Sequence, residues 1–139
     1  MDNNIQNHLK ALIQLSIIDR DFGEPERTYI YTIGKANRIP EEEIDDLVTQ
    51  TINEKPEAVI SYQGLMTEER FDFLYDIIQL MKIDGDVYLT EIRFCEEIAE
   101  KLGYQKKVVK KLSSLVYSDP SIKASRDMLL KTANKYLKA

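Results

Sequence analysis

The chain has 139 residues, of which 43% are hydrophobic and 31% are charged, with a net charge of −5 and only five glycines and four prolines. This length supports one domain with one core, and the scarcity of glycine and proline argues against a fold rich in strands and turns. No apolar run approaches the roughly 18 residues of a membrane span, and the acidic, polar start Met1-Asp-Asn-Asn does not resemble a signal peptide. The lone Cys95 fits a reducing compartment, so we predict a cytoplasmic protein.

Three helices are predicted in the first half of the chain. Apolar residues at helical spacing indicate a helix over residues 5–19. Pro25 suits the first turn of a second helix, which continues to about Asn37. Pro40 and the three glutamates after it open a third helix, because acidic residues in a first turn complement the helix dipole. Residues 53–65 are predicted to be a short helix or a connector.

Four more helices are predicted after that connector, giving an all-α fold of about seven helices. Thr67 is a candidate N-cap. The helix over residues 71–83 is apolar on most sides, which indicates the centre of a bundle. The next helix covers residues 89–102 and ends at Gly103, a typical residue after a helix C-terminus. The last two predicted helices cover residues 105–117 and about 120–138.

The chain contains an internal repeat, formed by residues 12–33 and 77–98. At a single offset of 65 residues, eight positions are identical without a gap. Such a repeat predicts two equivalent helix-loop-helix units. We therefore predict a bundle in one domain over residues 1–139, with repeat one at about 5–51, repeat two at about 67–117 and a C-terminal helix at about 120–138.

Each copy carries an Asp-x-Asp-x4-Glu cluster between two predicted helices. The candidate metal ligands are Asp19, Asp21, Glu26, Asp84, Asp86 and Glu91. Oxygen-rich loops of this kind suit hard divalent cations, here Ca²⁺, Mg²⁺ or Mn²⁺. The alternative is structural, because both glutamates fall near the third residue of the following helix, where a glutamate can accept a hydrogen bond from the N-cap N–H.

The spacing of the second cluster excludes an EF-hand. Counted from Asp84, position 6 of the loop is Leu89 where an EF-hand has glycine. Position 12 is Cys95 where an EF-hand has a bidentate glutamate. The same count from the first cluster fails at both positions.

The run Ile83-Asp84-Gly85-Asp86-x4-Glu91, together with the helical run Tyr75-Asp-Ile-Ile-Gln-Leu-Met before it, resembles the TerB-like tellurite-resistance family. The resemblance covers roughly residues 5–117, since both copies take part. It implies an all-helical, internally duplicated fold with acidic residues proposed to bind metal. It also implies a place beside J-domain co-chaperones and stress-response systems at the bacterial inner membrane. The residues of the family's motif correspond to Asp84, Gly85 and Glu91 in the second copy. In the first copy they correspond to Asp19 and Glu26, and Arg20 takes the place of the glycine.

The charge is unevenly distributed along the chain. Residues 1–100 hold 22 acidic and nine basic residues, a balance of −13, whereas residues 101–139 hold ten basic and two acidic residues, a balance of +8. The candidate partner-binding residues are Lys106, Lys107, Lys110 and Lys111, which form a stripe of i,i+4 pairs on a predicted helix. This stripe would bind an acidic partner, lipid headgroups at a membrane surface, or nucleic acid, of which nucleic acid is the least expected. Alternatively, the basic helices simply pack beside an acidic body.

No catalytic constellation is predicted. His8 is the only histidine, expected at the surface or half-buried, and one histidine with one cysteine cannot form an ordinary zinc site. Cys95 is expected to be a small core residue. We therefore predict a non-enzymatic, stress-associated domain that binds a divalent cation, a protein partner, or both. The alternative is a pure interaction module that uses the lysine stripe.

Overall fold

The computed structural model describes residues 3–18, 23–53, 62–83, 87–117 and 125–138. Within these ranges it contains seven helices and no strand, so the all-α prediction is confirmed for them. The helices are α1 (Asn3–Ile17), α2 (Glu24–Ala36), α3 (Glu41–Asn53), α4 (Thr67–Lys82), α5 (Leu89–Lys101), α6 (Val108–Ser113) and α7 (Arg126–Asn134). None of the helices in the described ranges is long and apolar enough to cross a membrane.

Helices α1 and α4 pack against each other at the centre of the bundle. Helices α2 and α3 pack on α1, while α5 and α6 pack on α4, and α7 contacts both α4 and α6. The fully buried side chains of the central pair include Leu9, Leu12, Leu74 and Ile77. The apolar pattern predicted a central position for α4. Helix α1 shares it, because even the polar side chains of His8 and Gln14 are buried.

Helix α5 ends as its sequence predicts. Gly103 adopts the left-handed conformation, with φ +95°. The N–H of Tyr104 donates to the carbonyl of Ala99 at 2.9 Å, and the N–H of Gly103 donates to the carbonyl of Glu100 at 3.0 Å. This pair of bonds is the Schellman motif, which satisfies carbonyls that the helix leaves free.

Helix α2 ends in the same motif, 65 residues earlier in the chain. Arg38 occupies the left-handed position, with φ +64°. The N–H of Ile39 donates to the carbonyl of Gly34 and the N–H of Arg38 donates to the carbonyl of Lys35, both at 3.0 Å. The local geometry therefore repeats where the residue type does not. The TerB-like arrangement as a whole stays a prediction.

Two helices begin at other residues than predicted. Helix α4 starts at Thr67 itself, and Met66 is its N-cap residue. Helix α7 starts at Arg126, after Ser125, whose hydroxyl accepts a hydrogen bond from the N–H of Met128 at 3.3 Å. The predicted start of the last helix at residue 120 lies outside the described residues.

Helix α6 is much shorter than the predicted helix over residues 105–117. Residues 104–105 are extended, because Tyr104 forms an antiparallel bridge with Leu137 and the N–H of Gln105 donates to the carbonyl of Tyr136 at 2.7 Å. Residues 106–107 then form a turn that leads into α6. At the C-terminal end of α6, Nζ of Lys82 from α4 donates to one backbone carbonyl in the last turn and to another just beyond the helix.

Candidate functional site

The acidic clusters are only partly covered by the described residues. Asp19, Asp21, Asp84 and Asp86 lie outside them. Glu26 and Glu91 are described, and both are buried, with relative exposures of 5% and 2%. Within the described part of the chain, no group of three His, Cys, Asp or Glu side chains is arranged to hold a metal ion. The metal interpretation of the clusters therefore stays a prediction.

Glu91 is the third residue of α5, and its carboxylate turns back to the start of that helix. Its Oε1 accepts a hydrogen bond from the N–H of Tyr88, the N-cap residue, at 3.0 Å. The hydrogen bond that the structural interpretation expects is therefore present at Glu91. Glu26 holds the same position in α2, and its Oε2 lies 2.7 Å from where a Cβ on Gly23 would be. The missing side chain at Gly23 leaves the space that this carboxylate fills.

A cleft with acidic residues along one side opens between α1, α2 and α4. It has a volume of about 340 Å³. Its carboxylates come from three residues on one face of α4, namely Glu69, Asp72 and Asp76. Its apolar wall includes Ile5, Ile33 and Phe73. We call this feature the acidic cleft.

His8 supports the acidic cleft from the core side. Its ring is fully buried and stacks on Phe73, with centroids 4.1 Å apart and an angle of 10° between the planes. Its Nε2 is 3.0 Å from Oδ2 of Asp76. The expectation that His8 is at the surface or half-buried is therefore wrong, because the aromatic side chain of α4 covers this part of α1.

Tyr29 of α2 contributes a second contact to Asp76. Burial raises the pKa of Tyr29 above its ordinary value, and the charge of Asp76 and a hydrogen bond to it act in the same direction. The phenol is therefore protonated at neutral pH and donates to the carboxylate. Asp76 is thus held by side chains from α1 and α2, while part of it faces the cleft.

The other two carboxylates of the acidic cleft also have partners within the protein. Oε1 of Glu69 accepts from the N–H of Met66 at 3.2 Å, which caps α4. Oδ1 of Asp72 accepts from Nη2 of Arg126 at 2.9 Å. The Arg126 guanidinium also lies over the ring of Phe71, 5.2 Å from its centroid. The acidic face of α4 therefore already holds one guanidinium, supplied by α7.

The four lysines of the predicted stripe do not lie on one helix. Helix α6 begins at Val108, so Lys106 and Lys107 belong to the turn before it. Lys110 and Lys111 are exposed in its last turn. Nζ of Lys106 is 3.6 Å from Oε1 of Glu100, which ties this residue to α5. Lys107 nevertheless has helical dihedral angles as the N-cap residue, and its carbonyl accepts from the N–H of Lys111 at 3.3 Å, so these two residues keep the predicted i,i+4 spacing.

Cys95 is a core residue, as predicted. Its side chain is fully buried, and its Sγ lies 3.9 Å from the carbonyl oxygen of Ile77. Burial raises the pKa of the thiol well above its ordinary value, and the charges of Glu91 and Glu96 add to the effect. Because the thiolate is the reactive form, Cys95 has none of the features of a nucleophile.

Sequence reasoning missed the acidic cleft, although part of its signal was present. Glu69, Asp72 and Asp76 are three and four residues apart, which places them on one face of a helix. Nothing local indicates that His8 lies beneath them, since 68 residues separate it from Asp76.

Comparisons with protein-family models, with curated proteins and with solved structures found no match.

Proposed function

We propose that this protein is a non-enzymatic binding module and that its acidic cleft receives a lysine or arginine side chain of a partner protein. The observation that carries the proposal is the arrangement of three carboxylates beside an apolar wall. Lysine and arginine combine a long aliphatic stem with a charged end, so such a side chain can pack on the wall and pair with the carboxylates.

The size of the acidic cleft supports this kind of occupant. Its volume of about 340 Å³ falls at the lower end of the roughly 300–1,000 Å³ typical of ligand sites. That is enough for one or two long side chains. The negative balance of residues 1–100 would also attract a basic partner before contact.

An interaction inside the protein provides a second line of support. Arg126 pairs with Asp72 and stacks on Phe71, so a guanidinium already binds α4 by the proposed chemistry. Asp76 lies one turn further along the same face, and its partners His8 and Tyr29 approach from the core side. Those contacts hold the carboxylate in place for a partner, which lowers the entropic cost of binding.

Fluorescence anisotropy with a short labelled peptide tests the proposal. The peptide carries arginine beside leucine, and a second peptide has glutamate in place of arginine. We expect the arginine peptide alone to bind the wild type. We expect Asp76→Asn to weaken that binding about fivefold to tenfold, because a charge-assisted hydrogen bond contributes about 1–1.5 kcal/mol more than a neutral one. The asparagine oxygen can still accept from His8, so the fold should be retained.

Asp46→Asn is the matched control, because Asp46 is exposed on α3, away from the acidic cleft. It removes the same charge and should change the affinity less than twofold. Equal weakening by the two variants would show that only the net charge matters. That outcome, or no binding of the arginine peptide to the wild type, would contradict the proposal.

Two further elements belong to the proposal on sequence grounds. The resemblance to the TerB-like family supports a role in a stress response and a divalent cation at the acidic loops. The exposed Lys110 and Lys111 support the alternative, an interaction surface for an acidic protein or lipid headgroups. That alternative predicts binding that weakens steeply with salt, measured with anionic vesicles.

A further inference from the structure

A second, smaller cavity lies between the start of α4 and the end of α5. It shares no lining residue with the acidic cleft. Its volume is about 100 Å³, and its lining includes Tyr62, Arg70, Lys101 and Gly103. Both charged residues in the lining are basic, and no carboxylate of the described residues lines it. We call this cavity the basic pocket.

The two cations of the basic pocket are not neutralised by described acidic residues. Within the part of the chain that the structure covers, neither Arg70 nor Lys101 forms an ion pair. The Arg70 guanidinium rests against Gly103, with Nη1 3.0 Å from the place a Cβ would take. The glycine that ends α5 thus also makes room for the guanidinium at the pocket. Two basic residues without an acidic partner therefore line one small space.

Tyr62 also lines the basic pocket, although its hydroxyl oxygen has almost no accessible surface. Its hydroxyl is buried and has no hydrogen-bond partner among the described residues. Burial raises the pKa of Tyr62 above its ordinary value, so the hydroxyl keeps its proton. A buried hydroxyl without a partner is destabilising. Because this oxygen is closed off from the pocket, an anion bound there would be held by Arg70 and Lys101.

We propose that the basic pocket binds a phosphate-type oxyanion. A phosphate carries close to two negative charges and presents several strong acceptor oxygens in different directions. This matches an arginine fork and a lysine point charge that come from two different helices. A carboxylate offers two oxygens in one plane and one charge, so it matches this set less well. The volume of about 100 Å³ is large enough for a single phosphate group.

An NMR titration of the ¹⁵N-labelled full chain with inorganic phosphate, at constant ionic strength, tests the proposal. The amide signals of Gly64 and Gly103, which line the pocket, should shift and saturate. We expect Arg70→Gln and Lys101→Gln each to weaken the binding about tenfold or more, since each removes a charge-assisted contact. Tyr62→Phe should leave the affinity within twofold of the wild type, because the buried hydroxyl does not reach the pocket.

Lys110→Gln is the matched control, because it removes an exposed positive charge on α6, outside the basic pocket. Its affinity for phosphate should stay within twofold of the wild type. If Arg70→Gln unfolds, Lys101→Gln still decides the question, since the Lys101 side chain is exposed. Equal weakening by Lys110→Gln and Lys101→Gln would overturn the proposal, as would the absence of saturable shifts in the wild type.

The same titration with O-phosphoserine distinguishes the source of the phosphate. Binding of both compounds supports a site for a phosphate group carried on a larger molecule. Binding of inorganic phosphate alone supports a site for the free ion. Binding of neither overturns the proposal. The arginine-peptide experiment concerns the acidic cleft, so its result does not affect the test of the basic pocket.

Discussion

Glu26 and Glu91 show at the scale of single residues why a repeated acidic motif does not by itself define a ligand site. Each is the third residue of its helix, and each is buried against its own N-cap residue. Other identical pairs of the repeat are buried too, including Gln14 with Gln79. Helix packing and capping are therefore sufficient to account for these repeated residues.

Replacing Glu91 tests its capping role. Glu91→Ala removes the acceptor for the N–H of Tyr88, so we expect a loss of about 1–2 kcal/mol and a melting temperature lower by about 5 °C. Glu91→Gln should cost less, because its amide oxygen can still accept. Glu97→Ala on the exposed side of α5 is the control and should change stability by less than about 0.5 kcal/mol. Equal losses for Glu91→Ala and Glu97→Ala would contradict the capping role.

The same melting experiment tests the metal proposal. If the second acidic loop binds a divalent cation, Ca²⁺, Mg²⁺ or Mn²⁺ should raise the melting temperature of the wild type and have no effect on Asp84→Ala. Without such a rise in the wild type, the metal proposal fails and the capping role of Glu91 alone remains.

At the scale of elements, the ends of α2 and α5 compare two solutions to one backbone geometry. Gly103 adopts a positive φ without a steric cost, whereas Arg38 adopts it with a Cβ that crowds the following carbonyl. Sequence reasoning could predict the end at Gly103 because glycine is typical there. The end of α2 carries no such residue, although the bonds that close it are the same.

Substitutions at Arg38 and Gly103 should change the free energy of unfolding in opposite directions. Arg38→Gly should raise the free energy of unfolding by about 1 kcal/mol, because Arg38 is exposed and its strain is relieved. Gly103→Ala should lower it by about 1–2 kcal/mol, through the strained φ and the Cβ contact with Arg70. Urea denaturation measures both. A destabilising Arg38→Gly would mean that the side chain makes a contact that outweighs the strain.

For the whole molecule, the C-terminal segment determines how far the bundle acts as one cooperative unit. Leu129 of α7 is fully buried, and the chain beyond α7 is bonded to the link between α5 and α6. We expect Leu129→Ala to lower the melting temperature by roughly 10 °C, in a single transition, because a buried leucine contributes about 2–5 kcal/mol. Met128→Ala is the control, since Met128 is 45% exposed. A separate early loss of helix in Leu129→Ala, with the main transition unchanged, would show that α7 unfolds on its own.

Local patterns were enough to predict the all-α class, the approximate extents of α1 to α5, the end of α5 at Gly103 and the core position of Cys95. These features depend on apolar spacing and on residues near one another in the chain. The short α6, the burial of His8 against Asp76 and the linings of the acidic cleft and the basic pocket became visible only in the folded chain. Those features join residues that are far apart in sequence. Their contacts depend on how whole helices pack, which no local pattern encodes.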